Sequence, residues 1–238
     1  AVRAGLASQV LVARGSRSTP ALRDVVAASV RSGVDLREVD RSELDDVADD
    51  HHGVAARVRV PAAIGERELA TWPFGKDAIV VVLDGIADPQ NLGAAARSAE
   101  AAGVEMLVSR TRRAAGVTPV AIAASAGALL HLPQARVANI ARALGRLKDA
   151  GFTIAGLDER APASIYDAPA PEGRLALVLG SEGEGMARLT RETCDVLVSL
   201  PMRGRMGSLN ASASLAAVLY AFVLPSRRGP ARKPGPRD

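Results

Sequence analysis

Three stretches of the chain combine polar side chains with glycines, each directly after a predicted strand: DGIADPQNLGAAARS, LGSEGEGM and LPMRGRMGSLNASASLAAVLY. They offer an amide and a guanidinium (Asn91 and Arg97), a carboxylate (Glu182), and a hydroxyl close to a second amide (Ser208 and Asn210). Such groups orient a hydroxyl or a phosphate through hydrogen bonds, and glycines let the backbone approach a ligand closely. The pattern indicates a ligand site at the ends of these strands.

Each stretch also has a purely structural interpretation. Arg97 could extend to solvent from an alanine-rich helix, and the glycines of the second stretch could serve a tight turn. Ser208 and Asn210 could simply cap a helix, because their side chains compete for backbone groups. The GxGxxG dinucleotide fingerprint is absent, and so is the GxxxxGK[ST] phosphate loop, since Gly75-Lys76 is followed by Asp77. The sequence motifs therefore do not indicate a common nucleotide-binding loop.

The composition is that of a globular protein. Of 238 residues, 48% are hydrophobic and 24% charged, which is enough apolar material for one large or two modest domains. No apolar run reaches the length of a membrane span and no signal peptide is visible, so we expect no membrane association. Cys194 is the single cysteine, and the three histidines have no ligand-spaced partner, so we expect neither a disulfide nor a metal site. These features favour a reducing cytoplasm.

Positive charge is concentrated at the end of the chain. The net charge is +4, yet the segment from Arg203 to Asp238 holds seven basic residues and one acidic residue. A basic terminus is typical of proteins that bind a polyanion, most often nucleic acid. A Pro- and Arg-rich tail can equally be a disordered, solubilising end, and the composition does not decide between the two.

The pattern of apolar residues predicts two α/β domains. Residues 1–60 form a small α/β unit, 61–76 a linker, 77–225 a larger α/β domain and 226–238 a basic, disordered tail. The larger domain begins with the strand Ala78–Asp84, which is apolar on both faces as in a buried parallel sheet. Strands and helices then alternate, one of the helices running from Thr118 to Leu130. This alternation predicts a doubly wound, largely parallel sheet with its ligand site at the carboxyl ends of the strands.

The three stretches, in this order and spacing, resemble the motifs of the SpoU/TrmH family of RNA ribose 2′-O-methyltransferases, over roughly residues 78–224. The segment His51-His52-Gly53-Val54-Ala55 is similar to the HxGVxA signature that ends the small RNA-binding domain of the rRNA-modifying branch. We expect the first residues of that domain to be missing from this chain. The resemblance thus indicates an RNA-modifying enzyme with an added substrate-binding domain.

The resemblance implies features that periodicity alone does not predict. These are a deep trefoil knot at the C-terminal end of the α/β domain, S-adenosylmethionine bound in that knot, and a homodimer with the site at its interface. The implied cofactor-binding residues are Gly180, Leu200, Leu209, Leu179, Met202 and Ser208. Without the family, Leu200 and Leu209 would be interpreted as core residues.

The implied reaction is in-line transfer of the sulfonium methyl group to a ribose 2′-oxygen, with no metal. Arg97, Asn91, Glu182, Ser208 and Asn210 match the catalytic positions. A free guanidinium stays protonated and is a very poor base, so Arg97 is either strongly perturbed or orients the ribose and phosphate. The sequence does not choose between these two roles. The expected RNA contacts are made by His51, His52, Arg97, Arg203 and Arg205.

The added small domain favours a guanosine of large-subunit (23S) rRNA as the target. The alternatives are a tRNA guanosine 2′-O-methyltransferase and a non-catalytic RNA-binding protein that keeps the fold. A nucleotide-dependent oxidoreductase is a poor match because the fingerprint is missing. The intact set of polar motif residues argues against the non-catalytic interpretation.

Overall fold

The chain forms two compact units, Ala1–Pro61 and Ala62–Asp238. They are seen in a computed structural model that describes residues 1–47 and 51–227. The division lies one residue after the predicted end of the small domain. The folding pattern therefore changes where the sequence composition changes.

The small unit is a three-stranded sheet with two helices. Its elements are β1 (Ala7–Ala13), α1 (Pro20–Arg31), β2 (Asp35–Val39), α2 (Arg41–Asp45) and β3 (Val54–Val58). The strand order is β2-β1-β3, with β1 parallel to β2 and antiparallel to β3. Helix α1 begins with Pro20 after the N-cap Thr19, whose hydroxyl accepts a hydrogen bond from the Leu22 N–H.

The larger unit contains a six-stranded sheet in which every neighbouring pair of strands is parallel. Its strands are β4 (Ile79–Asp84), β5 (Met106–Arg110), β6 (Gln134–Val137), β7 (Thr153–Leu157), β8 (Leu175–Gly180) and β9 (Val196–Val198), in the order β6-β5-β4-β8-β7-β9. Its helices are α3 (Glu66–Thr71), α4 (Pro89–Ala101), α5 (Pro119–Ala124), α6 (Ile140–Asp149), α7 (Arg188–Thr193), α8 (Ala211–Val218) and α9 (Leu224–Ser226). A π-helical turn, Leu219–Val223, joins α8 to α9. The predicted α/β class with a mostly parallel sheet is confirmed.

Helices cover both faces of this sheet. All residues of β4 are buried, as its unbroken apolar run predicts. Because side chains alternate along a strand, Val81 and Leu83 pack into a cluster with α4, α5 and α8, while Val80 and Val82 pack with α3 and α6. The sheet is thus packed on both faces, and the loops that leave the carboxyl ends of its strands start from this buried framework.

The segment predicted as a linker, residues 61–76, is instead part of the larger unit. Helix α3 lies within it, and Leu69 on that helix is fully buried in the core. Glu66 accepts hydrogen bonds from Arg142 and Arg146 of α6. The hydrogen bond from Arg142 lowers the pKa of Glu66 most, against the opposing effect of burial. Helix α3 buries one apolar side chain, that of Leu69, which packs the helix against the core. A single apolar residue produces no helical periodicity in the sequence, so the pattern did not predict this helix as part of the domain.

The predicted start of the tail, residue 226, also needs correction. Ser226 ends α9, and the half-buried Arg227 donates a hydrogen bond from Nη1 to the Asp77 carbonyl oxygen at 2.8 Å. Burial lowers the pKa of Arg227. Arg227 therefore has a structural role, and the remainder of the predicted tail, 228–238, lies outside the described residues.

The described residues contain no helix long and apolar enough to cross a membrane. Within the same ranges, no three His, Cys, Asp or Glu side chains are grouped so that they could hold a metal ion. The expected absence of a metal cofactor stays a prediction.

Candidate functional site

The first motif is positioned by the start of α4. The carboxylate of Asp88 caps this helix, accepting hydrogen bonds from the N–H groups of Gln90 at 3.2 Å and Asn91 at 3.0 Å. Asn91 is thereby fixed in the first turn, at the carboxyl end of β4. Two residues on, Gly93 lies against α5, where an added Cβ would come within 2.4 Å of the Ala121 carbonyl oxygen. The glycine of this motif serves helix packing.

The second motif folds back on the end of β8. Ser181 and Gly185 exchange backbone hydrogen bonds of 3.1 and 3.0 Å, which closes the loop between them. The loop then crosses Gly180 so closely that an added Cβ would lie 2.0 Å from the Gly185 carbonyl carbon and 2.2 Å from the Met186 nitrogen. Because both neighbours are backbone atoms, only glycine fits at this position.

The third motif ends in the N-cap of α8. The side-chain oxygen of Asn210 accepts hydrogen bonds from the Ser212 N–H at 2.9 Å and the Ser212 hydroxyl at 2.5 Å. This fixes the amide so that its Nδ2 group points away from the helix. The capping interpretation of Asn210 is therefore correct, and capping leaves its donor available.

That donor joins the three motifs in one cluster. Asn210 Nδ2 lies 2.7 Å from both Asn91 Oδ1 and Glu182 Oε1. The same Glu182 oxygen accepts hydrogen bonds from Asn91 Nδ2 at 3.2 Å and from the Ala211 N–H at 3.1 Å. A carboxylate at a helix N-terminus is favoured by the helix dipole, and hydrogen bonds to a charged acceptor are stronger than neutral ones. Glu182 is the centre at which residues far apart in sequence meet.

A cavity of about 220 Å³ opens beside this cluster, at the carboxyl ends of β7 and β8. All six residues predicted to bind the cofactor line it: Gly180, Leu200, Leu209, Leu179, Met202 and Ser208. The lining includes leucines and methionines together with residues of the two glycine-bearing loops. The cavity therefore offers an apolar surface together with main-chain donors and acceptors.

The cavity is also bordered by five charged residues that the sequence analysis did not select: Asp158, Glu159, Arg160, Glu184 and Arg191. Arg191 Nε donates to Asp158 Oδ2 at 2.5 Å, and the Arg160 N–H donates to Asp158 Oδ1 at 2.8 Å. Burial opposes ionisation of Asp158, but these two hydrogen bonds and the charges of Arg191 and Arg160 together hold the pKa of Asp158 below its ordinary value. The available signal was the run DER directly after the strand Thr153–Leu157, at the same edge of the sheet as the other motifs.

We expect Gly180→Ala to weaken cofactor binding about tenfold or more, equivalent to at least about 1.4 kcal/mol. The new methyl group would displace the backbone of Gly185 and Met186, and with it the loop that forms one wall of the cavity. Isothermal titration with S-adenosylmethionine measures this change directly.

The matched control is Gly204→Ala, because an added Cβ at Gly204 meets no atom within 4 Å and its φ is not left-handed. It should bind the cofactor like the wild type. Unchanged affinity in Gly180→Ala would contradict the role given to the loop.

Not every predicted site residue joins the cluster. Arg97 lies on the exposed face of α4, about 9 Å along the helix axis from Asn91, and has no hydrogen bond or ion pair with any residue the structure describes. Ser208 lines the cavity but makes no hydrogen bond with the cluster residues in the part of the chain that the structure describes. Arg203 and Arg205 are exposed in the loop before α8. The structure thus leaves three arginines of the site region open to solvent.

The two predicted histidine contacts differ from one another. His51 is buried, with 2% of its side chain exposed. Its Nδ1 accepts the Gly53 N–H at 2.9 Å, so the proton is on Nε2, which lies 2.9 Å from Asp45 Oδ1. The ring of His51 is thus used to fold the loop, and its burial gives no support to an RNA contact by this side chain, which stays a prediction. His52 is exposed with a left-handed φ of 48°, and its RNA contact stays a prediction.

Cys194 is a half-buried thiol near the end of α7. Its Sγ donates weakly to the Thr190 carbonyl oxygen at 3.4 Å. Burial, followed by the charge of Asp195, raises the pKa of Cys194 to about 11. A thiol with this pKa is protonated at neutral pH and does not act as a nucleophile.

A model of the SpoU rRNA Methylase family matches residues 78–220. The chain is 40% identical over 219 residues to the 23S rRNA (guanosine-2′-O-)-methyltransferase RlmB of Xanthomonas campestris pv. campestris, a match that covers 90% of this chain and 87% of that protein. It is 38% identical over 232 residues to an uncharacterized tRNA/rRNA methyltransferase of Mycobacterium avium, covering 96% of this chain and 74% of that protein.

Solved structures show the same similarity. The crystal structure of an RNA 2′-O ribose methyltransferase superposes with a TM-score of 0.79 at 30% identity, covering 95% of this chain and 84% of that one. The SpoU methyltransferase AviRb from Streptomyces viridochromogenes, in complex with AdoMet, superposes with a TM-score of 0.76 at 27% identity, covering 94% and 84%. Both comparisons extend over the small unit as well as the larger one.

Proposed function

This chain belongs to the SpoU rRNA methylase family, and on that premise we propose that it transfers the methyl group of S-adenosylmethionine to the ribose 2′-hydroxyl of a guanosine in 23S rRNA. The observation that supports this most is the meeting of the three motifs around Glu182, beside a cavity lined by all six expected cofactor-binding residues. Two relatives that match 80% and 90% of the chain are named for this reaction.

The cavity suits S-adenosylmethionine chemically. An adenine ring fits between apolar side chains such as Leu179, Leu200 and Leu209, and its polar edge can bind main-chain groups of the surrounding loops. The charged amino-acid end of the cofactor needs both signs of charge, and Asp158 and Arg191 supply them at the rim. When bound, the cofactor supplies an already activated methyl group, so the protein needs no metal to create one.

The protein then has to align the ribose and help remove its hydroxyl proton. Asn91, Glu182 and Asn210 hold the three loops in one geometry, and Ser208 lines the cavity beside them. We assign to Arg97 the binding and orientation of the substrate ribose and phosphate, because its exposed guanidinium has no partner among the described residues and offers a planar fork of donors.

Exposed cations support an RNA substrate. Arg203 and Arg205 lie in the loop that also contributes Met202 and Ser208 to the cavity, so phosphates bound there would lie next to the site of transfer. We propose that His52 in the small unit makes a further contact. The small unit would then bind RNA while the larger unit carries out the reaction.

We further propose that the chain works as a homodimer with the site at the interface. Four large apolar side chains are exposed on α5, which packs with α4, on the loop of the third motif, and on the π-helical turn that follows α8: Val120, Met206, Leu209 and Tyr220. Light scattering should give twice the 24.6 kDa mass of one chain. The variant Tyr220→Glu should give the mass of one chain, because it places a charge on a side chain that is 53% exposed and expected in the interface.

The matched control is Tyr166→Glu, which changes a tyrosine that is 70% exposed in the loop between β7 and β8. It should remain dimeric. A wild-type protein with the mass of one chain would contradict the dimer.

We also propose that the C-terminal segment is knotted. Strand β9 lies at the edge of the sheet, yet the helix that follows it packs with α4 across the middle of the sheet. Arg227 then lies beside Pro171 in the long loop between β7 and β8. These positions support a chain end that passes through that loop.

We also propose that the protein works in the cytoplasm, because the expected substrate is ribosomal RNA.

Transfer of labelled methyl groups from S-adenosylmethionine to unmodified 23S rRNA, and separately to unmodified tRNA, tests the proposed function. We expect label in 23S rRNA. Label in tRNA alone would keep the chemistry and overturn the substrate, an outcome given weight by the tRNA/rRNA description of one relative. Cofactor binding without transfer to either RNA would favour a non-catalytic RNA-binding protein.

A further inference from the structure

A buried carboxylate that does not line the cavity lies behind the loop of the second motif. Asp84 ends β4 and is paired in the sheet with Gly180 at the end of β8. Its Oδ2 accepts the N–H of Ala187, the residue directly before α7, at 2.9 Å. Its Oδ1 lies 2.6 Å from Nη2 of Arg110, at the end of the neighbouring strand β5. Asp84 therefore connects three separate elements.

Such a group is costly at this position. Only 1% of the Asp84 side chain is exposed, and a buried charge destabilises a protein unless it is paired. Among the described residues, Asp84 Oδ1 and Arg110 Nε have no hydrogen-bond partner, so this contact is held by charge more than by hydrogen-bond geometry. An apolar residue would end a buried strand with less cost. The carboxylate is better explained by the loop that it holds.

The loop from Ser181 to Ala187 is held at several points. Backbone hydrogen bonds join Ser181 to Gly185, and the backbone of Gly185 and Met186 lies on Gly180. At its end, the Ala187 N–H is held by Asp84. Between these points the loop lines the cavity. If the hydrogen bond to Ala187 were released, the loop would keep its hydrogen bonds through Glu182 and between Ser181 and Gly185 but lose the anchor of its last residue before α7.

We propose that Asp84, with Arg110 as its counterion, is a positioning residue for the methyl donor: it holds the loop through Ala187 in the shape that binds the cofactor. The inference rests on the proposed function, because the ligand of the cavity is taken to be S-adenosylmethionine. Since Glu182 is held separately by Asn91, Asn210 and the Ala211 N–H, the effect is on cofactor affinity and not on the rate of transfer.

Calorimetric titration with S-adenosylmethionine and steady-state methyl transfer test this on the full chain. Asp84→Asn and Arg110→Ala should raise the Kd and the KM for the cofactor about tenfold, while kcat at saturating cofactor stays within about threefold. Arg110→Lys should recover most of the lost affinity, because a single charged contact links the two side chains.

Two controls separate positioning from general loss of stability. Asp195→Asn removes the charge of a carboxylate with similar partners, because Asp195 accepts hydrogen bonds from the Lys148 ammonium group and the Ile154 N–H. This carboxylate lies at the amino ends of β7 and β9, whereas Asp84 lies at the carboxyl end of β4. Leu144→Ala removes a fully buried side chain on α6 and lowers the Tm. Both should bind the cofactor like the wild type, at a temperature well below every Tm.

Wild-type affinity in Asp84→Asn and Arg110→Ala would overturn the proposal, and so would an equal loss of affinity in Leu144→Ala. Failure of Arg110→Lys to improve on Arg110→Ala would overturn the role of Arg110 as counterion. A wild-type protein that does not bind S-adenosylmethionine would overturn the proposed function and this inference together. Wild-type binding with unaffected variants would overturn the inference alone.

Discussion

Arg97→Ala should reduce methyl transfer about 10²–10³-fold while the protein stays folded and binds its cofactor normally. The guanidinium is exposed on α4 and has no partner among the residues that the structure describes, so its removal costs the fold little. Its charge and fixed fork of donors suit a ribose and phosphate in the transition state. Single-turnover transfer with saturating cofactor and rRNA measures the loss.

Arg97→Lys should recover only part of the rate, because it keeps the charge but not the planar fork. The control is Arg67→Ala, which removes an exposed arginine from α3 and should leave transfer unchanged. Transfer at the wild-type rate in Arg97→Ala would remove this residue from the mechanism. A loss explained entirely by weaker cofactor binding would give it a different role.

Glu182→Ala should reduce kcat about 10²-fold, because misplacing reacting groups by about 1 Å is enough for such a loss. One oxygen of Glu182 receives hydrogen bonds from Asn91, Asn210 and the Ala211 N–H. Without it, the three motifs lose their common acceptor. The kcat of Glu182→Gln should lie between those of the wild type and Glu182→Ala, because a neutral acceptor binds the same donors more weakly.

Glu184→Ala is the matched control for Glu182. Glu184 borders the same cavity, two residues away, but makes no hydrogen bond with the cluster residues. A small change in this variant and a large one in Glu182→Ala would assign the effect to the cluster. Equal losses in both variants would assign it to the negative charge of the cavity instead.

The sequence predicted the site well where local rules decide the outcome. Polar residues and glycines after buried strands of a parallel sheet have to meet at one edge, and Asn91, Glu182 and Asn210 do so. The buried strand β4 was equally predictable, because six consecutive apolar or strand-ending residues leave little alternative.

Where several interactions compete, the sequence was less informative. The helix expected from Thr118 to Leu130 stops at Ala124, because Ala126 and Gly127 take left-handed φ values of 49° and 88°. An alanine-rich run carries no signal for this break before its glycine. Similarly, nothing in the sequence near His51 indicates that both nitrogens of its ring form hydrogen bonds, one with the Gly53 N–H and one with Asp45.

The contacts of Asp84 and Asp158 show a different limit of sequence reasoning. Asp84 is the last residue of β4 and Asp158 directly follows β7, and an acidic residue at the end of a strand is equally typical of a site and of a solvated loop. Only the strand order, β4 between β5 and β8, brings Arg110 and Ala187 to Asp84. Periodicity predicts which segments are strands but not which strands are neighbours.

The most direct test of the central claim is the identity of the modified nucleoside. Unmodified 23S rRNA is incubated with the protein and S-adenosylmethionine, digested to nucleosides and analysed by mass spectrometry, with Arg97→Ala in parallel. The account predicts 2′-O-methylguanosine from the wild type and almost none from the variant. A methyl group on a base, or 2′-O-methylguanosine formed equally by both proteins, would contradict it.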